Sequence, residues 1–241
     1  MQIIRGDDYQ SWVYSHGSDL IAVDPWLTKT QEFPILRWLL YRHSTEPAYL
    51  KKYHFVSKVN YLIITAHFSD HLDMDSLNQF DVNTPIYTTK AAERNLAANG
   101  FLNITIVKPG HKYQLGNFDL EIFHAGKPYH STTFSYTLAA EGSIVFHEPH
   151  MLNTKLNFEY LDACILTVDQ VKVLGLVQVS MSDRDAQHAK SQLNAKYLIA
   201  TGIIPSRSKG LISWILSIVE STRSLPSLSL ICKNSGDTFT C

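Results

Sequence analysis

At 241 residues, with 45 % apolar side chains and a net charge of −1, the chain can bury the core of one large α/β domain, expected to span 1–241. That charge balance gives no basic surplus of the kind that nucleic acid or an anionic membrane surface attracts. No apolar run reaches the ~18 residues needed to cross a bilayer, Met1–Asp8 has no signal-peptide core, and the cysteines Cys164, Cys232 and Cys241 are scattered. A soluble, cytoplasmic protein without a disulfide framework or cysteine-rich zinc site is expected.

Residues 1–24 read as a meander of short antiparallel strands: Ile3-Ile4, Ser11–Tyr14 and Leu20–Val23, parted by turn clusters at Gly6–Asp8 and His16–Asp19. Pro25 ends the third strand and leaves Asp24 at its terminus, with a carboxylate free to anchor a loop. From Glu32 to Tyr53 the pattern turns helical, with Ile35, Leu36, Leu39 and Leu40 as an apolar stripe. Its basic residues, Arg37, Arg42, His43, Lys51, Lys52 and His54, read as a solvated face.

Tyr61–Ile64 is a short strand buried on both faces, and the chain turns polar at Thr65. His67, Asp70, His71, Asp73 and Asp75 follow within nine residues. Two readings of this stretch stand side by side. It can gather metal-binding or acid/base groups at a strand end, or it can be a polar loop in which Asp73 caps a helix starting near Met74.

A short helix over Met74–Phe80 precedes a strand at Thr84–Tyr87, a helix capped by Thr89 that runs to Ala98, and a strand at Asn103–Val107. Strand–helix–strand implies a parallel pair with a right-handed crossover. The middle is β: Phe118–Phe123, Thr132–Leu138 and, after a hairpin turn at Gly142-Ser143, Ile144–Phe146. His124 and His130 lie in the loop between the first two, and either can be a ligand or a hydrogen-bonded strand-end histidine. The third strand ends in His147, Glu148 and His150, a cluster that packing does not require. Further on come a strand at Ala163–Val168, a helix capped by Ser182 and carrying Ala186, Ala189 and Leu193, and a strand at Lys196–Ala200. A closing helix with Ile212, Ile215, Leu216 and Val219 inward, and one more strand at Leu228–Cys232, complete the expectation.

Thr65-Ala-His-Phe-Ser-Asp-His71 resembles the T-H-x-H-x-D-H loop of the metallo-β-lactamase superfamily. Asp70 and His71 fall on its last two positions, Ala66 and Phe68 stand at its first two histidines, and His67 falls on the variable position between them. Asp24-Pro-Trp-Leu27 and Phe146-His-Glu-Pro-His150 add to the likeness, in the order of a subgroup found widely in cyanobacteria and plants that reads D-P-W-L, D-D-H-x-H and Y-Y-E-P-H. Asp73 replaces that subgroup's second histidine and Ser69 its first aspartate.

The resemblance implies an α/β fold built as a four-layer αββα sandwich of two mixed sheets, with Asp24 bracing the metal loop and Glu148 in the acidic bridging position. Asp70, His71, Glu148 and His150 are then the candidate ligands of one divalent metal, zinc first, then iron or manganese; the alternative is no metal. Asp70, Asp73 and His150 are the candidate catalytic groups, the last two as proton relays. Without histidines at 66 and 68 a two-metal clamp is not expected. His67 sits one residue out of register, so its side chain should face away from Asp70 and His71. Three function classes follow: a single-metal hydrolase of a small ester, amide or phosphoester, a metal-free ligand-binding or scaffold protein on the same fold, and an iron oxidoreductase. A small-molecule substrate is the expected partner.

Overall fold

The computed structural model describes residues 1–32, 41–203, 209–210, 213, 216–219 and 231–241. The chain opens with an antiparallel meander, β1 (Gln2–Arg5), β2 (Trp12–His16) and β3 (Asp19–Val23). A small hairpin of β4 (Thr30–Glu32) with β5 (Tyr41–His43) and helix α1 (Tyr49–Lys52) follow. Strand β6 (Tyr61–Ile64) then pairs with β3 in parallel, and β7 (Ile86–Thr88) and β8 (Ile104–Ile106) extend that sheet in the same direction. The connections carry α2 (Met74–Leu77) and α3 (Lys90–Ala98).

The second sheet runs β9 (Lys112–Leu115), β10 (Phe118–His124), β11 (Phe134–Ala140) and β12 (Ser143–Glu148) as antiparallel neighbours, then adds β13 (Leu161–Thr167) in parallel to β12. A hairpin of β14 (Gln170–Val173) and β15 (Val177–Gln178) leads to α4 (Asp183–Gln192) and to β16 (Ala195–Thr201), parallel to β13. Near the end, β17 (Leu216–Val219) pairs with β14, and β18 (Thr238–Thr240) pairs with β1.

Strand alternation divides the core into three layers of contact. Trp12, Tyr14, Ile21, Val23 and Ile63 of the first sheet meet Leu120, Ile122, Tyr136, Leu138 and Val145 of the second. Their sequence neighbours point the other way: Val13, Ala22, Leu62 and Ile64 cover Leu50, Leu77 and Leu96 from the helices. On the far side Phe146, Cys164 and Leu166 pack with Ala186 and Ala189 of α4 and with Leu193 just after it. Helix, sheet, sheet, helix is the expected sandwich, with a seven-stranded and a six-stranded sheet face to face.

Four expectations differ from what forms. The helix expected over Glu32–Tyr53 is a hairpin strand at each described flank and only one helical turn at α1; Ile35, Arg37, Leu36, Leu39 and Leu40 lie outside the described residues. Arg42 is not on a solvated face. It is fully buried, its Nη2 donates to Asp8 Oδ1 at 3.0 Å, its Nε donates to Gln31 Oε1, and its guanidinium covers the Tyr9 ring at 4.3 Å. Tertiary pairing with Asp8 has overridden the local helical pattern. Leu216 and Val219 are in a strand, because β14 offers them a ladder partner and a short apolar run fits either structure; Ile212, Ile215 and residues 228–230 lie outside the described residues. Cys232 lies in a turn, and the strand that closes the sheet is the polar segment at β18.

The buried Arg42–Asp8 pair is further held by Thr45, whose backbone N–H and hydroxyl both donate to Asp8 Oδ2 (2.6 and 2.8 Å). Removing one partner strands a buried charge, so Asp8→Ala is expected to cost about 3–5 kcal/mol, while Asp8→Ala with Arg42→Met recovers most of the loss. Urea unfolding of the two variants checks this; equal destabilisation by both would show that the cost is packing, not charge.

Candidate functional site

The strands β3 and β6 run in parallel and stop side by side, and β12 and β13 do the same in the second sheet. An isolated antiparallel bridge between Ala66 and Thr133 ties the loop after β6 to the start of β11. These ends share one edge of the sandwich, and the polar residues that follow them meet there.

Asp24 organises the edge. It is 1 % exposed and takes a left-handed backbone with φ 44°, a conformation a non-glycine residue holds only when its surroundings fix it. Its own N–H donates to Ile63 and its carbonyl accepts from Ser11 Oγ at 2.7 Å. Its carboxylate accepts from the Thr65 N–H (2.8 Å), the Thr65 hydroxyl (2.5 Å) and His71 Nδ1 (2.7 Å). Nδ1 must therefore carry a proton, and Nε2 is left buried with no partner in hydrogen-bonding distance. Asp70 Oδ2 lies 3.7 Å from that Nε2. Burial lowers the His71 pKa, but Asp24 first, then Asp70 and Glu148, outweigh it and raise the pKa above the usual value. Gln10 holds the loop from behind by donating to the Asp70 carbonyl at 2.5 Å.

Glu148 ends β12 with no solvent exposure. The His150 N–H donates to its Oε1 at 2.9 Å, while Oε2 has no partner. Burial pushes its pKa up to about 8 against the pull of backbone N–H donors and His71, so without a cation it holds a proton at neutral pH. His150 is sandwiched: Tyr129 stacks on one face at 4.2 Å and His71 lies 4.7 Å away at a 31° tilt. Burial, then the nearby His71 and His147, hold it neutral, well below the usual histidine range. His147 faces the inter-sheet core, bonded to the Tyr136 hydroxyl at 2.8 Å, and burial lowers its pKa to about 3.

Of the residues read from sequence, Asp70, His71, Glu148 and His150 come together, with Asp24 buried behind. Asp73 does not join them: its carboxylate caps α2, accepting from the Ser76 N–H at 3.1 Å and from the Ser76 hydroxyl. The helix-cap reading of that residue is the one the fold adopts. His67 is exposed, with its ring against Phe68. His124 and His130 line a different cavity, of about 520 Å³, beside Lys90 and Lys108. Sequence reasoning missed Gln10, Thr65 and Tyr129, since no local pattern separates a hydroxyl or amide that braces a loop from one that does not.

A Beta-lactamase superfamily domain model matches residues 7–202. The chain belongs to that superfamily. No curated protein sequence matches it. Among solved structures, a possible metal-dependent hydrolase from Veillonella parvula DSM 2008 superposes with a TM-score of 0.68 at 14 % identity, over 100 % of this chain and 99 % of that one. The isothiocyanate hydrolase from Delia radicum gut bacteria gives 0.70 at 13 % identity, over 100 % and 99 %. The metallo-beta-lactamase fold protein YhfI from Bacillus subtilis gives 0.64 at 12 % identity, over 99 % of both. At these identities the likeness is one of fold.

Superfamily membership raises the question of a metal. The bare donors, His71 Nε2 and Glu148 Oε2, with the Asp70 carboxylate beside the first, suit one divalent cation in kind. Ala66 and Phe68 supply nothing for a second. Among the described residues no three His, Cys, Asp or Glu side chains are gathered tightly enough to hold an ion, so side-chain adjustment around Asp70 has to complete any set.

The Glu148 proton has a sign-definite consequence for chelator-treated protein. Its folded pKa is raised from 4.5 to about 8, so the folded state holds a proton the unfolded chain has released. That stabilisation is full below pH 4.5, falls as pH rises through 8, and is flat above. The stability difference between wild type and Glu148→Gln, followed by urea melts from pH 5 to 9, should move in favour of the variant as pH rises; a constant difference would mean that Glu148 is ionised throughout.

Proposed function

We propose that the chain is a hydrolase carrying at most one divalent cation, zinc first, with iron or manganese also suited, that acts on a small ester, amide or phosphoester. The observation that carries this reading is His71: Asp24 holds its Nδ1–H, which leaves the buried, unpartnered Nε2 as the atom that would meet a cation once its proton is displaced, the orientation that metal-binding histidines use. His71 and Glu148 Oε2, with Asp70, would hold the ion, and His150 is the further candidate donor. What a bound divalent cation supplies is Lewis-acid polarisation of the substrate and easier ionisation of water.

The chain's own residues account for the rest. Asp24 and Thr65 hold the His71 ring in one orientation. Asp70, whose side chain is 18 % exposed, faces the adjoining cavity and is placed to take a proton from a water there. His150 and Tyr129 wall off bulk water with stacked rings. A second reading, a metal-free ligand-binding protein on the same fold, is favoured by the Glu148 proton, since a neutral buried carboxyl group needs no cation.

Metal content per chain after purification without added metal separates the two. The hydrolase reading expects about one ion per chain, its loss in Glu148→Ala and in His71→Ala, and a wild-type melt that rises with zinc or manganese. A chain that carries no ion, and whose melting ignores both metals, would sink it. His67→Ala should leave metal content unchanged, since that side chain is solvent-facing.

A further inference from the structure

The cavity of about 520 Å³ that holds His124 and His130 shares no lining residue with the one at Asp70 and His150. It lies where the parallel strands β7 and β8 end. Thr89 and Lys90 follow the first strand, Lys108 and Pro109 the second, and the Val107 N–H ties the two ends together by donating to the Thr88 carbonyl at 2.9 Å. The β10–β11 connection supplies the rest. There the Tyr129 carbonyl accepts from the Thr132 and Thr133 N–H groups (2.9 and 3.0 Å), a tight turn beside His130 and Ser131, both of which line the cavity.

Three observations set the charge of what fits. No Asp or Glu is among the described residues that line the cavity, whereas two lysines and two histidines are. Lys90 pairs with Glu93 at the surface, an exposed contact of small worth that an incoming anion displaces easily. Lys108 is in no ion pair among the described residues. Second, the nine-residue α3 begins here: the Thr89 hydroxyl accepts from the Ala92 N–H at 3.4 Å, and the first turn of a helix carries partial positive charge on N–H groups that have no partner within it.

The third observation is Thr133. It lines the cavity and is 5 % exposed, yet its Oγ1 is buried with no hydrogen-bond partner among the described residues. Buried hydroxyls without partners are rare in folded chains, and a ligand acceptor would meet this one. Two imidazoles beside two ammonium groups, with no carboxylate, do not suit a metal cation. Ile106, Val107 and Phe134 add apolar surface. The volume falls within the roughly 300–1,000 Å³ typical of small-molecule sites, so the cavity has room for an organic group beyond the charged one.

We propose that this cavity binds a small organic anion. Its phosphate or carboxylate group is held by Lys90, Lys108, the Thr133 hydroxyl and the N-terminus of α3, and its apolar part lies on Ile106, Val107 and Phe134. The site depends neither on a metal nor on the hydrolase reading.

The test uses the full chain as purified and measures binding of phenyl phosphate, benzoate and benzyl alcohol by calorimetry or ligand-observed NMR, before and after chelator treatment. At least one anion should bind more tightly than benzyl alcohol, and the tighter of the two identifies the group as phosphate or carboxylate. That binding should survive the chelator, whereas an anion held on a metal would be lost. Lys108→Glu, at an exposed side chain, should weaken it at least about tenfold, and Thr133→Val, which removes only the hydroxyl, about three- to tenfold. Urea stability of Thr133→Val should be equal or higher, because the lost hydroxyl leaves no partner unpaired. Benzyl alcohol binding as tightly as both anions would overturn the proposal, as would no anion binding to wild type, its loss on chelation, or affinity unchanged in both variants. Thr133→Val that destabilises the fold while keeping full anion affinity would overturn it too, by showing that the hydroxyl serves the protein and not a ligand.

Discussion

The rest of the structure depends on one buried carboxylate. Asp24 follows β3 directly and accepts three hydrogen bonds, two from Thr65 just after β6 and one from His71 six residues further on. Buried carboxylates are costly unless their lone pairs are met, so this residue fixes its donors as firmly as they fix it. The left-handed φ of 44° at Asp24 is the local cost of turning the chain into Pro25 while keeping the carboxylate inward. Through these bonds it ties both ends of the loop from Thr65 to His71 and orients the imidazole.

Around that clamp the edge is an enclosed, low-dielectric space where charges are kept few. His147 and His150 are held neutral by burial, and Glu148 retains a proton in the absence of a cation. His71 is the exception, biased toward its charged form by Asp24 and then by Asp70 and Glu148. A site in which one imidazole is held ready for charge, while its neighbours are held neutral, has its electrostatic freedom concentrated at His71 and the two carboxyl groups, Asp70 and Glu148, that act on its charge. That is the place where an added cation, or a substrate polarised toward Asp70, changes the energy most.

Replacing the first two motif histidines by Ala66 and Phe68 changes the site from ligand-rich to partly aromatic. Ala66 is fully buried and its backbone bridges Thr133, joining the two halves of the edge. Phe68 stands edge-on to both Tyr129 and His150, with ring centroids 6.1 Å apart in each case. Side chains that bind no metal thus fill the space with packing, and the same rings line the adjoining cavity.

By itself the sequence determined the strands that carry the site and the residues at their ends. Strand signals at Ser11–Tyr14, alternation along Phe118–Phe123, apolar runs at Tyr61–Ile64 and Ala163–Val168, and a resemblance carried by three motifs in order were enough to expect a metallo-β-lactamase-like sandwich with Asp70, His71, Glu148 and His150 at its strand ends and Asp24 behind them. These signals are local, because a strand's period and a polar break at its end are properties of neighbouring residues. Only the tertiary structure decided what has no local signature. Arg42 went inside because Asp8, 34 residues away, met its charge; Leu216–Val219 became a strand because β14 supplied a ladder. Asp73 turned to its own helix because the Ser76 N–H and hydroxyl were nearer than the cluster. Gln10 and Tyr129 reached the site through contacts between distant segments, and such contacts are chosen by packing and by the need to satisfy buried polar groups.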